Sequence, residues 1–247
     1  MIPLKSEKDL KMLKDAGKIL ARIMQRLRDF IKVGVSTVEI DQLTEELIHK
    51  AGAIPAFKGY KGFPANICTS INEEIVHGIP SKRKLKEGDI ISLDLGINYE
   101  GYFSDVAITI MVGGVNSRAK KLIEVTKNAL FEGIKQAYAE NYLSDISYAI
   151  QSYVEKYGFS VVRQFVGHGI GRSLHEEPEI PNFGPPHHGP IIKSGMVFAI
   201  EPMVNMGTWE SKILDNGWTA VTKDGLLSAH FEHTIAVTKN GPEILTN

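Results

Sequence analysis

Apolar positions along the chain follow two rhythms. Behind Ser6, with Asp9 three positions on as a capping-box partner, Leu10, Leu13, Ile19, Leu20, Ile23, Leu27 and Ile31 return at helical spacing. This spacing predicts a long first helix stopped by Gly34. Ser36 with Glu39 caps a second helix, with Ile40, Leu43 and Leu47 on one face and Gly52 at its end. The rhythm then changes to short continuous apolar runs over residues 90–95 and 106–110, which read as buried strands.

The second half repeats the order. A long helix is predicted over residues 117–139. A shorter one, capped by Ser144 and carrying Ile146, Ile150 and Val154, stops at Gly158. Strands are expected over 161–162, 196–200 and 234–237. Gly52 and Gly158 each lie twelve positions after their matching isoleucines, Ile40 and Ile146. Residues 88–94 overlay residues 195–201 at a shift of 107, and both segments end in a carboxylate, Asp94 or Glu201. A further strand in each half carries another, Asp105 or Glu232, with about twenty extra residues between the second pair. Chance recurrence of helix and strand order would not keep the acids in step with the apolar pattern. We read an α+β fold built by internal duplication, a single domain with halves at about 1–115 and 116–247.

Composition narrows the classes. Lys and Arg number 28 and Asp and Glu 29, a net charge of −1 that gives nucleic acid no basic surface to meet. Cys68 is the only cysteine, so no disulfide joins the chain to itself, and a reducing compartment fits. No signal-peptide layout and no unbroken apolar stretch of membrane-spanning length is present. A soluble, cytoplasmic protein that uses neither membrane nor nucleic acid is expected. Residues 180–192 form a loop rich in Pro, Gly and His. His187 and His188 there read as solvated, with a surface metal clip as the alternative.

The four acids carry the chemistry. Each alone could be a strand-ending turn residue. Together, in matched positions of two halves that pack face to face, they converge, and four close carboxylates do not all ionise without cations. Neither Lys nor Arg lies within 90–99 or 197–204, so two divalent ions are the better compensation. His168, flanked by Gly167 and Gly169, is the candidate nitrogen ligand. Such an oxygen-rich site suits Mn, Fe, Co or Zn in an open, hydrolytic centre. His77 and His175 are either structural or donors to a developing oxyanion.

The order Asp94, Asp105, His168, Glu201, Glu232 resembles the five-ligand set of the methionine aminopeptidase and prolidase superfamily. The motifs that carry the resemblance span almost the whole chain. They are residues 72–80 (NEEIVHGIP), Asp94-Leu95-Gly96, Gly167-His168-Gly169-Ile170-Gly171, His175-Glu176-Glu177-Pro178, Ile200-Glu201-Pro202 and Glu232-His233-Thr234. The resemblance implies the pita-bread fold, two pseudo-symmetric αβ halves around a dinuclear site. Asp94 would bind one ion, Asp105 and Glu232 would bridge, and His168 and Glu201 would serve the second ion. Glu201 would also be the general base. His77 would contact the scissile amide and His175 the carbonyl oxygen. A monovalent cation, Na or K, would lie near Asn72, the backbone of Glu74 and Ser228.

Subtype follows from length. Only 33 positions separate His168 from Glu201, too few for the helical insertion of type II enzymes, and 247 residues do not accommodate the extra N-terminal domain of prolidases. The short type I architecture fits, with no N-terminal Cys-rich extension expected. The resemblance implies removal of the initiator methionine from nascent proteins when the second residue is small. That function is consistent with a monomer in transient association with the ribosome, which no motif marks. Tyr60, Phe63, Cys68, His77, Leu174, His175 and Trp218 would form the substrate site. Leu174 stands where some relatives carry an aromatic residue, which alters the pocket's shape. The competing readings are a binding protein that has lost catalysis, against which all five ligand types stand, and an Xaa-Pro peptidase on a shortened scaffold. Products from Met-Ala and Ala-Pro peptides separate the latter.

Overall fold

The computed structural model describes residues 2–247. Helix α1 (Glu7–Phe30) opens with Ser6 as N-cap, whose hydroxyl accepts from the Asp9 amide while the Asp9 carboxylate accepts from the Ser6 amide. Its buried stripe includes Leu13, Leu20, Ile23, Met24 and Leu27. Each fully buried side chain of that size contributes about 1.5–3 kcal/mol of transfer free energy. The helix ends before the expected Gly34 because the next segment is claimed elsewhere. The Gly34 amide donates to the Leu85 carbonyl, and the Leu85 amide to Val35. Helix α2 (Thr37–Lys50) carries the Ser36–Glu39 capping box and stops at Gly52, which adopts φ +71°.

Helix α3 (Ser117–Ile134) is capped by the Asn116 side chain and ends five residues earlier than the pattern suggests. The chain turns there so that the Glu140 amide can donate to the Ile192 carbonyl. Helix α4 (Leu143–Lys156) begins at Tyr142 rather than Ser144. The Asp145 carboxylate accepts from the Tyr142 amide, whereas the Ser144 hydroxyl accepts from His188 in the neighbouring loop. Gly158, at φ +75°, follows its C-terminus as expected.

One nine-stranded sheet runs through both halves. Its strands are β1 (Ile54–Pro55), β2 (Cys68–Ile71), β3 (Ile90–Tyr99), β4 (Tyr102–Met111), β5 (Gly167–Gly169), β6 (Glu176–Ile180), β7 (Val197–Ile200), β8 (Glu232–Thr238) and β9 (Gly241–Ile244). The spatial order is β1-β3-β4-β8-β7-β5-β6, with β2 also on β3 and β9 on β8. The pairs across this path are antiparallel. The halves meet where β4 pairs with β8. α1 and α2 cover one apolar core that includes Leu20, Ile40, Leu93 and Leu95, and α3 and α4 cover another that includes Leu122, Ile146, Phe198 and Ile235.

The twenty extra residues of the second half form a hairpin, Ser211–Ile213 with Ala220–Thr222, which pairs with Glu74–Val76 of the first half. It is an insertion that crosses the seam. No helix among the described residues is long and apolar enough to cross a membrane.

Candidate active site

Register alone brings the acids together. Residues directly opposite in a sheet, and residues two apart on one strand, share a face. Asp94 faces Ala107 and Gly96 faces Asp105, so Asp94 and Asp105 point the same way. Glu232 faces Ala107 from the other side. Ala199 pairs with both Thr234 and His168, which puts Glu201, two residues on, and His168 on that same face. Cys68 lies opposite Asp94. Four carboxylates, an imidazole and a thiol thus project from one surface of adjacent strands.

They line a cavity of about 170 Å³ with Phe57, Tyr60, Lys61, Phe63, His77, Leu174, His175 and Trp218. Ligand atoms of Asp105, His168 and Glu232 lie within 4.8 Å of one another. His168 Nε2 is 3.5 Å from Glu201 Oε1. Asp94 joins this group at the cavity wall through its register position. Burial pushes the Asp94 carboxyl up to about 7. Burial, and then repulsion from neighbouring carboxylates, holds Asp105, Glu201 and Glu232 well above the ordinary range.

The donors fit divalent ions. His168 Nδ1 lies 2.9 Å from the Gly169 carbonyl. A carbonyl only accepts, so Nδ1 carries the proton and Nε2 presents a bare lone pair towards Glu201. Burial lowers His168 to about 4, which keeps it neutral. A lone pair facing a carboxylate repels it unless a proton or a cation lies between them. Glu232 Oε1 is buried without a protein partner. Among the described residues, the ion pairs of Lys and Arg go to other acids. An oxygen-rich set with one open imidazole nitrogen is a divalent-metal donor set.

The sequence matches Metallopeptidase family M24 over residues 11–239. The chain belongs to that family. This M24 chain is 53% identical over 246 residues to a methionine aminopeptidase of Clostridium perfringens, covering 100% of this chain and 99% of that one. It is equally 53% identical to methionine aminopeptidase 1 of Bacillus subtilis, again over 100% and 99% of the two chains. The crystal structure of methionine aminopeptidase from Rickettsia prowazekii superposes with TM-score 0.99 at 44% identity, with both chains fully covered. The fold is therefore the pita-bread α+β fold, and the M24 chain is a metallopeptidase that uses a divalent metal.

Around the acids of this M24 chain stand the side chains expected to receive substrate. The Tyr60 hydroxyl lies 2.9 Å from His175 Nδ1, and the two rings stack at 5.2 Å. Burial holds His175 down to about 3, so it is neutral; in the tautomer in which Nδ1 accepts from the Tyr60 hydroxyl, the N–H is on Nε2. His175 also packs 4.2 Å from the His168 ring. Phe63 and Trp218 meet edge to face at 5.1 Å. Leu174 is buried in the same apolar cluster. His77, at φ +60°, contacts Trp218 and Phe165 edge-on, and burial lowers its pKa. Gly78 lets this turn pass, since a Cβ there would come within 2.2 Å of the Thr69 carbonyl. Asn72 and Ser228 are linked through the Ser228 amide and the Asn72 carbonyl at 2.8 Å. The Glu74 carboxylate turns away to Arg83 and the Ile71 amide.

Three neighbours escaped the sequence reading. Phe57 and Lys61 line the cavity from irregular segments without periodicity. His230 lies 3.7 Å from Glu201 through Nε2. Its signal was available, because it stands two positions before Glu232 and shares its parity. His187 and His188 are exposed. His187 approaches Asp145 at 3.3 Å and His188 Nδ1 meets the Pro186 carbonyl, the solvated-loop arrangement.

Proposed function

We propose that the protein removes N-terminal methionine from polypeptides whose second residue is small, and that residues 1–247 act as one catalytic domain. The observation that carries this reading is a single cavity joining a one-faced cluster of four acids and His168 to an apolar slot of Tyr60, Phe63, Cys68, Leu174 and Trp218. Two ligands come from the first half and three from the second, so neither half is complete alone.

Asp94, Asp105, His168, Glu201 and Glu232 would hold two divalent ions, with Asp105 and Glu232 shared between them. Bound there, ions such as Mn, Fe, Co or Zn supply Lewis acidity and an acidified water. The apolar slot takes the thioether side chain, whose flexibility fits aromatic walls. Asp94 faces the free amine and so selects for a chain end. Glu201 accepts the proton of the attacking water on its carboxylate. His175 donates from Nε2 to the carbonyl oxygen as negative charge develops, and His77 contacts the scissile amide. The walls formed by His77 and His175 limit the second residue to Gly, Ala or Ser. A sodium or potassium ion beside Asn72, Glu74 and Ser228 is supported by the backbone link between Asn72 and Ser228. The cytoplasm, a monomeric state and transient association with the ribosome fit a substrate that is a nascent chain.

The test is turnover by Mn-reconstituted protein on Met-Ala-Ser, Lys-Ala-Ser, Met-Leu-Ser and Ala-Pro-Ser. Methionine should be released from the first alone. Release of Lys as readily as Met would overturn the specificity, and preferential cleavage of Ala-Pro would place the protein among Xaa-Pro peptidases.

A further inference from the structure

His230 is a buried histidine that no step above uses. It is 1% exposed, and neither ring nitrogen has a protein hydrogen-bond partner among the described residues. A neutral imidazole always carries one N–H, and an unpaired buried donor costs about 1–3 kcal/mol. Its backbone cannot move to relieve this. His230 ends the strand Ser228–His230, which pairs with Met203–Asn205. Its amide lies 2.8 Å and its carbonyl 2.9 Å from the Thr109 hydroxyl. The ring is therefore aimed by a fixed backbone.

Its target is Glu201. Glu201 Oε2 lies 3.7 Å from His230 Nε2, and Glu201 Oε1 lies 3.5 Å from His168 Nε2. The carboxylate sits between two imidazoles that differ in kind. The proton of His168 is committed to the Gly169 carbonyl, so His168 offers Glu201 only a lone pair. Of the two, only His230 can offer a hydrogen.

We propose that His230 is a positioning residue whose Nε2–H donates to Glu201 Oε2 and turns Oε1 towards the cluster of Asp105, His168 and Glu232. A small rotation of the Glu201 side chain closes 3.7 Å to the ~2.9 Å of a normal N–H···O bond. A carboxylate held by one oxygen offers the other in a fixed direction. Partners of this kind are worth roughly 10–100-fold in metal affinity or activity.

The role given to Glu201 rests on the metallopeptidase reading, so the test separates the two. His230→Leu removes the donor at similar volume, and His230→Gln keeps an N–H within reach of the same oxygen. Metal-free wild type and both variants are titrated with Mn(II) by calorimetry and with Co(II) by visible absorption, and kcat and KM are then measured on Met-Ala-Ser. His230→Leu should bind the weaker ion about 10–100-fold less tightly. At saturating metal it should lose kcat with KM unchanged. His230→Gln should recover most of both. Unchanged metal affinity and full kcat in His230→Leu would overturn the proposal. Equal losses in His230→Gln and His230→Leu would also overturn it, because the ring would then act as a ligand or as packing. A wild type inactive on every peptide would sink the aminopeptidase reading, while the titrations would still decide the role of His230.

Discussion

Loading the metal-free protein with divalent ions should expel protons in a countable number. Without cations the four acids relieve their repulsion by protonation. Asp94, raised to about 7, is half protonated at neutral pH. Burial and mutual repulsion raise Asp105, Glu201 and Glu232 well above the ordinary range, which favours their protonated forms. Each proton taken up weakens the repulsion on the remaining carboxylates, so uptake stops short of four. Two ions carrying +4 displace them. Calorimetric titration with Mn(II) at pH 7 in phosphate, PIPES, HEPES and Tris gives the number directly, as the slope of observed enthalpy against buffer ionisation enthalpy. If two protons are linked, overall metal affinity rises about 100-fold per pH unit near neutrality. The sign for stability is opposite in the metal-free protein. A folded-state pKa raised above its unfolded value stabilises below the unfolded value and is lost as pH rises through the folded one. Metal-free protein should therefore melt at a lower temperature at pH 8 than at pH 6.5, the window set by Asp94 and its higher neighbours. Release of less than half a proton, or a metal-free melting temperature that rises across that window, would refute the reasoning.

His175→Ala should keep both ions and lower kcat about 10²–10³-fold, the usual worth of one oxyanion donor. An increase in KM alone, by steady-state kinetics, would assign His175 to uniform substrate binding instead. Trp218→Ala removes the ring that meets Phe63 edge to face, so methionine should be cleaved more slowly and the first-residue preference should broaden in a peptide panel. An unchanged preference would remove Trp218 from the slot. Lys5 and Glu176 form a largely buried ion pair, with side chains 7% and 12% exposed. Lys5→Met should destabilise in urea unfolding by less than the roughly 3–5 kcal/mol of a fully stranded buried charge, because the Glu176 carboxylate keeps the Arg172 and Ser173 amides as donors. The double variant with Glu176→Gln should recover most of that loss, and equal instability of the two would mean that packing, not charge, holds the pair.

The convergence of the acids was legible because a carboxylate that interrupts or borders a buried strand has few explanations: Asp94 and Asp105 lie within strands, Glu201 follows one and Glu232 opens another. Helix starts at Ser6 and Ser36 were legible because capping is local. Errors fell where a distant partner decided. Gly34 did not end α1, because Leu85 holds that segment. Ser144 did not cap α4, because its hydroxyl serves His188. Trp218 reaches the slot only because the inserted hairpin pairs with Glu74–Val76 across the seam, a contact written nowhere near position 218.

The same distinction explains why His230 was passed over. Two-residue parity carries face information along one strand, and His230, Glu232 and Thr234 share it. But the pairing changes between His230 and Glu232: the first lies opposite Met203, the second opposite Ala107. Read by parity alone, His230 is one more inward residue of a buried run. Its meaning comes from what the neighbouring strand places opposite. Glu201 lies one position beyond the paired end of β7, where the ladder no longer fixes its backbone. An acid at a strand end gains reach and loses rigidity. In the role proposed for Glu201, holding a metal and accepting a proton, both are needed, and a neighbouring side chain aimed by a clamped backbone can restore the rigidity without taking up the reach.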